Sequence, residues 1–505
     1  MQRNISFAFL VDWAGDNSYS FNETNYLYNA NGDESMANPD ESTFSSNGFS
    51  SQASFTLLNV DRRFSPTASA VVASGGLREH IQNGKFYGKK VLFNVTINGT
   101  VFTVFRGFVK KISDNPRTVD GVGTVTLSCA TEDAAIMNRK LNTPVSDTKS
   151  FYDTGKDEGE LIVRTLSLAG LSDGTHFVSQ TYGGTPTIDR GLFTIPWYWL
   201  DSESPIEDCW TLAAACGGRF YYSTADGKYH YDNAQAFAFG EAGTVQTTVD
   251  ESNSKKVNPV YNDKDLAKKV QVTVKPRRIG ESTVLWEPDE VIRILPGSSV
   301  TLEAKLDSPV YSFDQLKIVA TNTGGFQITD NLSTSSTYYS QSIKFIITNN
   351  GIYHAFLRTF QLIGREIEGG ETTTVSFPSL DTAFWAARDG KERSISDNPY
   401  IQTTAQAEAI CQLLANRQGY FTSGYEVNTY KGTKFLRVGW RVTVSNSTLN
   451  VSEEVLITRM SWRLSEGNFE QDLTCFGLGN IYHYTPGSYF LIGTNSTNQS
   501  KRYFY

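Results

Sequence analysis

The chain has 505 residues, 39% hydrophobic and 19% charged, with a formal net charge of -8. That balance describes a folded chain rather than a disordered one, and roughly three or four domains suit the length. Binding nucleic acid through its phosphates requires clustered Lys and Arg. The basic pairs here, such as Lys110-Lys111 and Arg277-Arg278, are scattered, so sequence-specific nucleic-acid binding is not expected. An acidic surface instead suits one past which DNA slides without sticking.

Aromatics reach 13%, and Thr, Ser, Asn, Val and Gly are abundant, which predicts a mainly β protein with a few helices, built as several domains. The opening run, Met1 to Trp13, carries a short apolar stretch that breaks at Asp12, and it reads as a strand rather than a signal peptide. Residues 4–14 and 52–60 are expected strands, and 29–50 between them are polar and loop-like. Asn29 to Glu34 alternates oxygen-bearing side chains but lacks the closing glutamate of a calcium loop, so a plain loop is expected there.

Leu57 to Pro66 ends a strand in a tight turn closed by Asp61, Arg62, Arg63, an aromatic and a proline. These three charged residues are candidates for pinning the turn or a neighbouring subunit, not for catalysis. Val91, Phe93, Val95 and Ile97 alternate with Leu92, Asn94 and Thr96, the period of a half-buried strand. Asn98-Gly99 then signals a hairpin, because both positions tolerate positive φ. With strands at 101–109 and 124–129 these elements form a first β-barrel domain, 1–142.

The middle domain, 143–255, is expected to be α+β. A helix is predicted over 157–170. A second starts at the capping box Ser204-Pro205-Ile206-Glu207 and ends at Gly217-Gly218. Phe220 to Tyr231 reads as a hairpin around Asp226-Gly227. Residues 256–385 form a β-sandwich-like domain, with 256–280 also open to pairing with the last barrel. That second barrel, 386–482, is preceded by a helix over 403–417 with Thr403 and Gln406 in capping positions. A polar, aromatic tail, 483–505, completes the chain.

The chain carries few chemical motifs. The five Cys (Cys129, Cys209, Cys216, Cys411, Cys475) are sparse and in apolar contexts, so buried free thiols are expected. No CxxC, P-loop, HExxH or Gly-x-Ser-x-Gly pattern occurs, and the five His are far apart. No metal, cofactor or catalytic residue is therefore expected. Carboxylate clusters (Asp157, Glu158 and Glu160; Asp289 and Glu290; Glu366, Glu368 and Glu371; Glu453 and Glu454) read as solvated faces, although a glycan-cleaving enzyme needs two such groups. Trp197, Tyr198 and Trp199, read as exposed, suit either sugar stacking or a subunit contact. No run approaches the ~20 apolar residues of a membrane span.

Two distant segments echo each other. Gly88-Lys89-Lys90-Val91 leads through a hairpin to Leu127-Ser128-Cys129, and Gly439-Trp440-Arg441-Val442 leads through Val455 to Met460 to Leu473-Thr474-Cys475. A real echo means two copies of one β-barrel type. Three such chains then present six similar barrels in a ring, since heterologous contacts that close make rings.

Several of these segments together resemble the tail hub proteins of tailed bacteriophages. They are Val11-Asp12-Trp13, Asn59 to Pro66, Gly88-Lys89-Lys90-Val91, Phe105-Arg106-Gly107-Phe108-Val109, Trp210 to Gly218 with Asp226-Gly227-Lys228, and Asn398 to Leu414. Trp440 departs from the pattern, standing where many relatives carry Asp. The resemblance implies a non-enzymatic virion protein at the tail tip or baseplate, assembled in the host cytoplasm. It implies a homotrimer whose pseudo-sixfold ring matches a hexameric tail tube to a threefold spike or central fibre. Further implied partners are a distal tail protein and the tape-measure protein, and the ring lines the path of DNA ejection. The competing readings are a β-rich tail protein that binds or cleaves host-surface glycan, and a bacterial tail-like injection device.

Overall fold

The computed structural model describes residues 5–35, 51–65, 81, 85–115, 122–131, 152–199, 204–234, 245–260, 267–338, 342–378, 391–418, 424–430, 435–477, 490–491 and 503–504. It is mainly β with a few helices. The largest sheet takes strands from both ends of the chain. Early strands are β1 (Ile5–Val11), β2 (Phe21–Asn22), β3 (Leu27–Ser35), β4 (Gln52–Leu58), β5 (Lys90–Ile97), β6 (Thr100–Asn115) and β7 (Thr124–Ala130). Later strands are β8 (Thr247–Val249), β9 (Ser254–Val260), β10 (Gly424–Thr429), β11 (Arg441–Asn446), β12 (Val451–Ser465) and β13 (Asn468–Gly477). The order is β9-β10-β13-β12-β3-β4-β7-β6-β5-β1-β2, with β11 on β12 and β8 on β11.

These strands form because apolar and polar residues alternate. Every second residue of β5 is buried, and the β5–β6 hairpin turns at Asn98 and Gly99 with φ of 51° and 86°. The inward residues of both halves of the sheet make one core. In it Phe93 and Trp462 have ring centroids 5.4 Å apart, and Phe55 and Phe93 are 5.5 Å apart.

One expectation is overturned here. Asn29 to Ser35 is not loop but the interior of β3, paired with β4 on one side and β12 on the other. Its inward residues are Ala30, Gly32 and Glu34; a Cβ at Gly32 would lie 2.5 Å from Trp462 Cζ2, and burial pushes the Glu34 carboxyl up to about 7. A strand whose inward positions are two tiny residues and a carboxylate carries no hydrophobic alternation, which is why it reads as a turn. The rest of that stretch, 36–50, and nearly all of the 483–505 tail lie outside the described residues.

A second core gathers helices α1 (Glu158–Leu168), α2 (Pro205–Ala215) and α3 (Thr404–Gln418) against the 219–232 hairpin and the strand Lys269–Val274. Helix α3, grouped in the sequence with the second barrel, packs here instead, with Ala407, Ile410, Cys411 and Leu414 inward. Asp157 caps α1 by accepting from Glu160 N. Thr403 Oγ1 accepts from Gln406 N at 3.2 Å, while Gln406 Oε1 reaches Gln402 N. Ser204 makes no side-chain cap, so Pro205 and the first-turn acids Glu207 and Asp208 start α2 without the expected box. A third core lies between the sheet of Ser299–Lys305, Ser342–Asn349 and Leu332–Tyr338 and a five-stranded sheet built around Ala355–Gly369. Phe345 and Phe360 cross edge-to-face in it at 5.1 Å.

Candidate functional site

The large sheet is a repeat. Its first unit pairs in the order β3-β4-β7-β6-β5-β1, and its second in the order β9-β10-β13-β12-β11-β8. The correspondence reaches single residues. Val109 faces Cys129 just before a bulge in β6, and Ile457 faces Cys475 just before a bulge in β12. Val109 N donates to Lys89 O and Gly88 N to Val109 O, at 2.9 and 3.1 Å. In the second unit Ile457 N donates to Trp440 O and Gly439 N to Ile457 O, at 2.9 and 2.8 Å. Gly88 and Gly439 both hold positive φ, 72° and 86°, as this turn requires. Trp440 thus occupies the position of Lys89, and only backbone groups carry the shared geometry: each carbonyl accepts as above, and Lys89 N donates to Phe86 O as Trp440 N donates to Arg437 O. The units differ at one pairing: β1 runs antiparallel to β5, whereas β8 runs parallel to β11.

The two units meet where β3 lies along the distal half of β12, from Ser35 opposite Arg459 to Asn29 opposite Ser465. Eight strands then share one polar face, running β9-β10-β13-β12-β3-β4-β7-β6. Outward positions include Asn258, Glu426, Asn428, Asp472, Ser461, Arg463, Asn31, Asp33, Ser54, Thr126 and Ser113, while the residues between them enter the core. Two open grooves cross this face at Arg459, Ser461 and Asp472.

Side chains tie neighbouring strands across the face. Asn258 Nδ2 donates to Glu426 Oε2 at 3.2 Å, and Asn428 hydrogen-bonds Asp472. Arg463 and Lys255 both reach Glu470, at 2.8 and 2.6 Å, and Thr56 and Thr126 meet at 3.4 Å. Burial would raise the Glu470 carboxyl, but the hydrogen bonds from Lys255 and Arg463 hold it below the usual value. Burial raises Asp33, with Arg459 beside it opposing. The face therefore carries both signs of charge, with cations set against carboxylates rather than gathered into a phosphate-binding strip.

The turn residues sit at the rim of the first unit. Asn59 folds the turn on itself: its Oδ1 accepts from Phe64 N and its Nδ2 donates to Ser65 Oγ, both at 2.8 Å. Arg63 pairs with the fully buried Glu23 at 3.2 Å and lies over the Tyr26 ring at 4.8 Å. Glu23 also accepts from Trp13 Nε1. Arg62 is exposed, with φ of 56°. The backbone of Asp61 lies in the short helical turn Val60–Arg62, and its side chain is outside the described residues. Arg63 and Glu23 are thus brought together within the chain, and no motif near the turn marks Glu23 as the partner.

Two expectations about chemistry are corrected. Glu158 is not a solvated acid: it is fully buried, and burial pushes its carboxyl up to about 7. It accepts from Leu192 N, Phe193 N and Tyr231 Oη at 2.7, 3.0 and 3.0 Å, so it ties a loop and a strand to α1. Tyr198 and Trp199 are buried, not exposed; Tyr198 Oη donates to Asp208 Oδ2 at 2.6 Å. All five cysteines are free and buried. Among the described residues no group of His, Cys, Asp and Glu is placed to hold a metal ion, and no helix is long and apolar enough to cross a membrane.

No protein-family model matches the chain, and no curated protein matches it in sequence. Solved structures resemble it in layout. The 43 kDa tail protein of prophage MuSo2 from Shewanella oneidensis is 11% identical, with 94% of this chain and 99% of that one covered and a TM-score of 0.47. The tail protein from Neisseria meningitidis MC58 is 9% identical over 93% and 96%, with a TM-score of 0.45. Prophage tail protein gp18 from Listeria monocytogenes EGD-e is 9% identical over 93% and 94%, with a TM-score of 0.40.

Proposed function

We propose that the chain is a structural virion protein: the trimeric, pseudo-sixfold hub at the distal end of a phage tail. Three copies would match a hexameric tail tube to a threefold spike or central fibre, and the polar sheet face would line the DNA exit path. The carrying observation is the repeat: one chain holds two units of the same strand path, joined edge to edge with their polar faces on one side. Two like units per chain are what a threefold assembly needs in order to present six similar surfaces. A wall of Ser, Thr, Asn and paired charges suits DNA that must pass without being held, because net attraction to phosphates requires uncompensated cations.

In this reading the protein has no catalytic residues and no cofactor. Its partners are the tube or distal tail protein, the spike or fibre, and the tape-measure protein, and it resides in the virion after assembly in the host cytoplasm. The glycan-cleaving alternative keeps only one half-buried ring, Trp197, of its expected sugar platform, since Tyr198 and Trp199 are inside. Release of new reducing ends from host polysaccharide would revive it. The hub reading is tested by purifying tails and the isolated protein. Trimers or rings, and presence in tails, are expected; a monodisperse monomer absent from tails contradicts it.

A further inference from the structure

The repeat has one junction within the chain and leaves its counterpart open. Distal β12 is covered by β3, with Gly32 opposite Trp462 and Asp33 opposite Ser461. Distal β6 is the equivalent strand. Counting from the matched cysteines, Ser113 stands for Ser461 and Asp114 for Trp462. The equivalent of β3 is β9. Gly32 faces Ala53, which faces Cys129, just as Pro259 faces Tyr425, which faces Cys475. Pro259 therefore stands for Gly32, and Val260 for Asp33. Among the described residues no strand pairs with positions 110–114 of β6 on the side away from β7, and none with β9 on the side away from β10.

We infer that these two edges join in neighbouring copies. Distal β6 of one chain would pair antiparallel with β9 of the next, in the register of the β3–β12 junction, setting Ser113 opposite Val260 and Asp114 opposite Pro259. The occupant is a second copy of this chain, because the β3–β12 junction already shows the fit of such edges and the contact is head-to-tail, which propagates the polar face around a ring. This inference rests on the hub reading and specifies which edges close it. The residues suit a contact made after folding. Lys110 and Lys111 are exposed on the β6 edge, and charged edges deter indiscriminate pairing. Pro259 supplies no N–H, so it shortens the ladder that β9 can make and keeps this contact weaker than the β3–β12 junction.

The test uses full-length chains carrying one added cysteine each, Ser113→Cys and Val260→Cys, mixed and treated with a short bis-maleimide. The five native cysteines are buried, so background labelling is low. Facing residues in paired strands have Cβ atoms about 5 Å apart, so the mixture should cross-link on the order of tenfold more than one in which Val101→Cys, at a hairpin tip, replaces Ser113→Cys. Neither single variant should cross-link to itself. If trimers or rings form but cross-linking stays at the Val101→Cys level, the edge assignment is wrong and the hub reading survives. If the wild-type chain stays monomeric at its highest soluble concentration and is absent from tails, the hub reading fails and takes the edge assignment with it.

Discussion

The two units of the large sheet share a strand path but not their side chains, and the contrast separates a permanent junction from an open edge. Distal β12 buries Met460, Trp462 and Leu464 beneath β3. The matching positions on β6 are Ile112, which is half-buried, and Asp114, which is exposed and accepts from Asn59 Nδ2 at 3.3 Å. One unit thus spends aromatic surface where the chain covers itself, and the other presents charge where it does not. Large buried aromatics dominate core energetics, whereas exposed edges are kept polar.

The largest effect that would break this comparison is at the covered junction. Trp462→Ala should cost about 3–5 kcal/mol of unfolding free energy, the range for truncating a large buried aromatic. Gly32→Val should disrupt the same place from the other side, since its Cβ would meet Trp462 and, at 2.8 Å, Gln52 O. Chemical denaturation checks both; a loss under about 1 kcal/mol for either would show that the two units do not depend on one another. Next comes Arg63→Ala, which strands the buried Glu23. About 3 kcal/mol is expected, the low end for breaking a buried pair, because Arg63 itself is partly exposed.

The pH dependence is smaller and has a definite sign. Glu158 has its carboxyl raised from 4.5 to about 7, so the folded chain binds more protons than the unfolded one between those values. Its contribution to stability is therefore greatest below pH 4.5 and is lost as pH rises through 7. Burial raises Glu34 to about 7 as well, so Glu158→Gln should lessen that slope without abolishing it, as melting temperatures across the window will show; an unchanged slope would remove Glu158 as a cause. Smallest in stability is Arg62→Glu, which should move it by about 0.5 kcal/mol or less, as exposed substitutions do. As a proposal, the same change impairs ring assembly; normal tails from that variant would refute it.

Much of this fold was legible because local signals agreed with the global answer. Asn98-Gly99 turned where it should, Thr403 capped its helix, and the Gly-x-basic-Val and Leu-x-Cys echoes fell on matched positions. The misses share one physical origin: an environment supplied by distant chain. β3 is polar outward and inward carries only Ala30, Gly32 and the buried acid Glu34, because Trp462, more than 400 residues later, fills the space over Gly32; that is how Asn29 to Glu34 passed for a loop. A period of two in size, with Ala30 and Gly32 between Asn29, Asn31 and Asp33, was its sole signature. Glu158 looked solvated among acids until the amides of Leu192 and Phe193 closed over it. The partner of Arg63, Glu23, lies forty residues away, and nothing local to the turn points to it.

We propose that two like units per chain serve a threefold assembly with six similar surfaces. Electron microscopy of the assembled tail tip tests it most directly, by copy number and symmetry. Three copies in a ring whose inner wall shows six similar lobes are expected; one copy, or six copies of a single unit type, would rule the threefold assembly out.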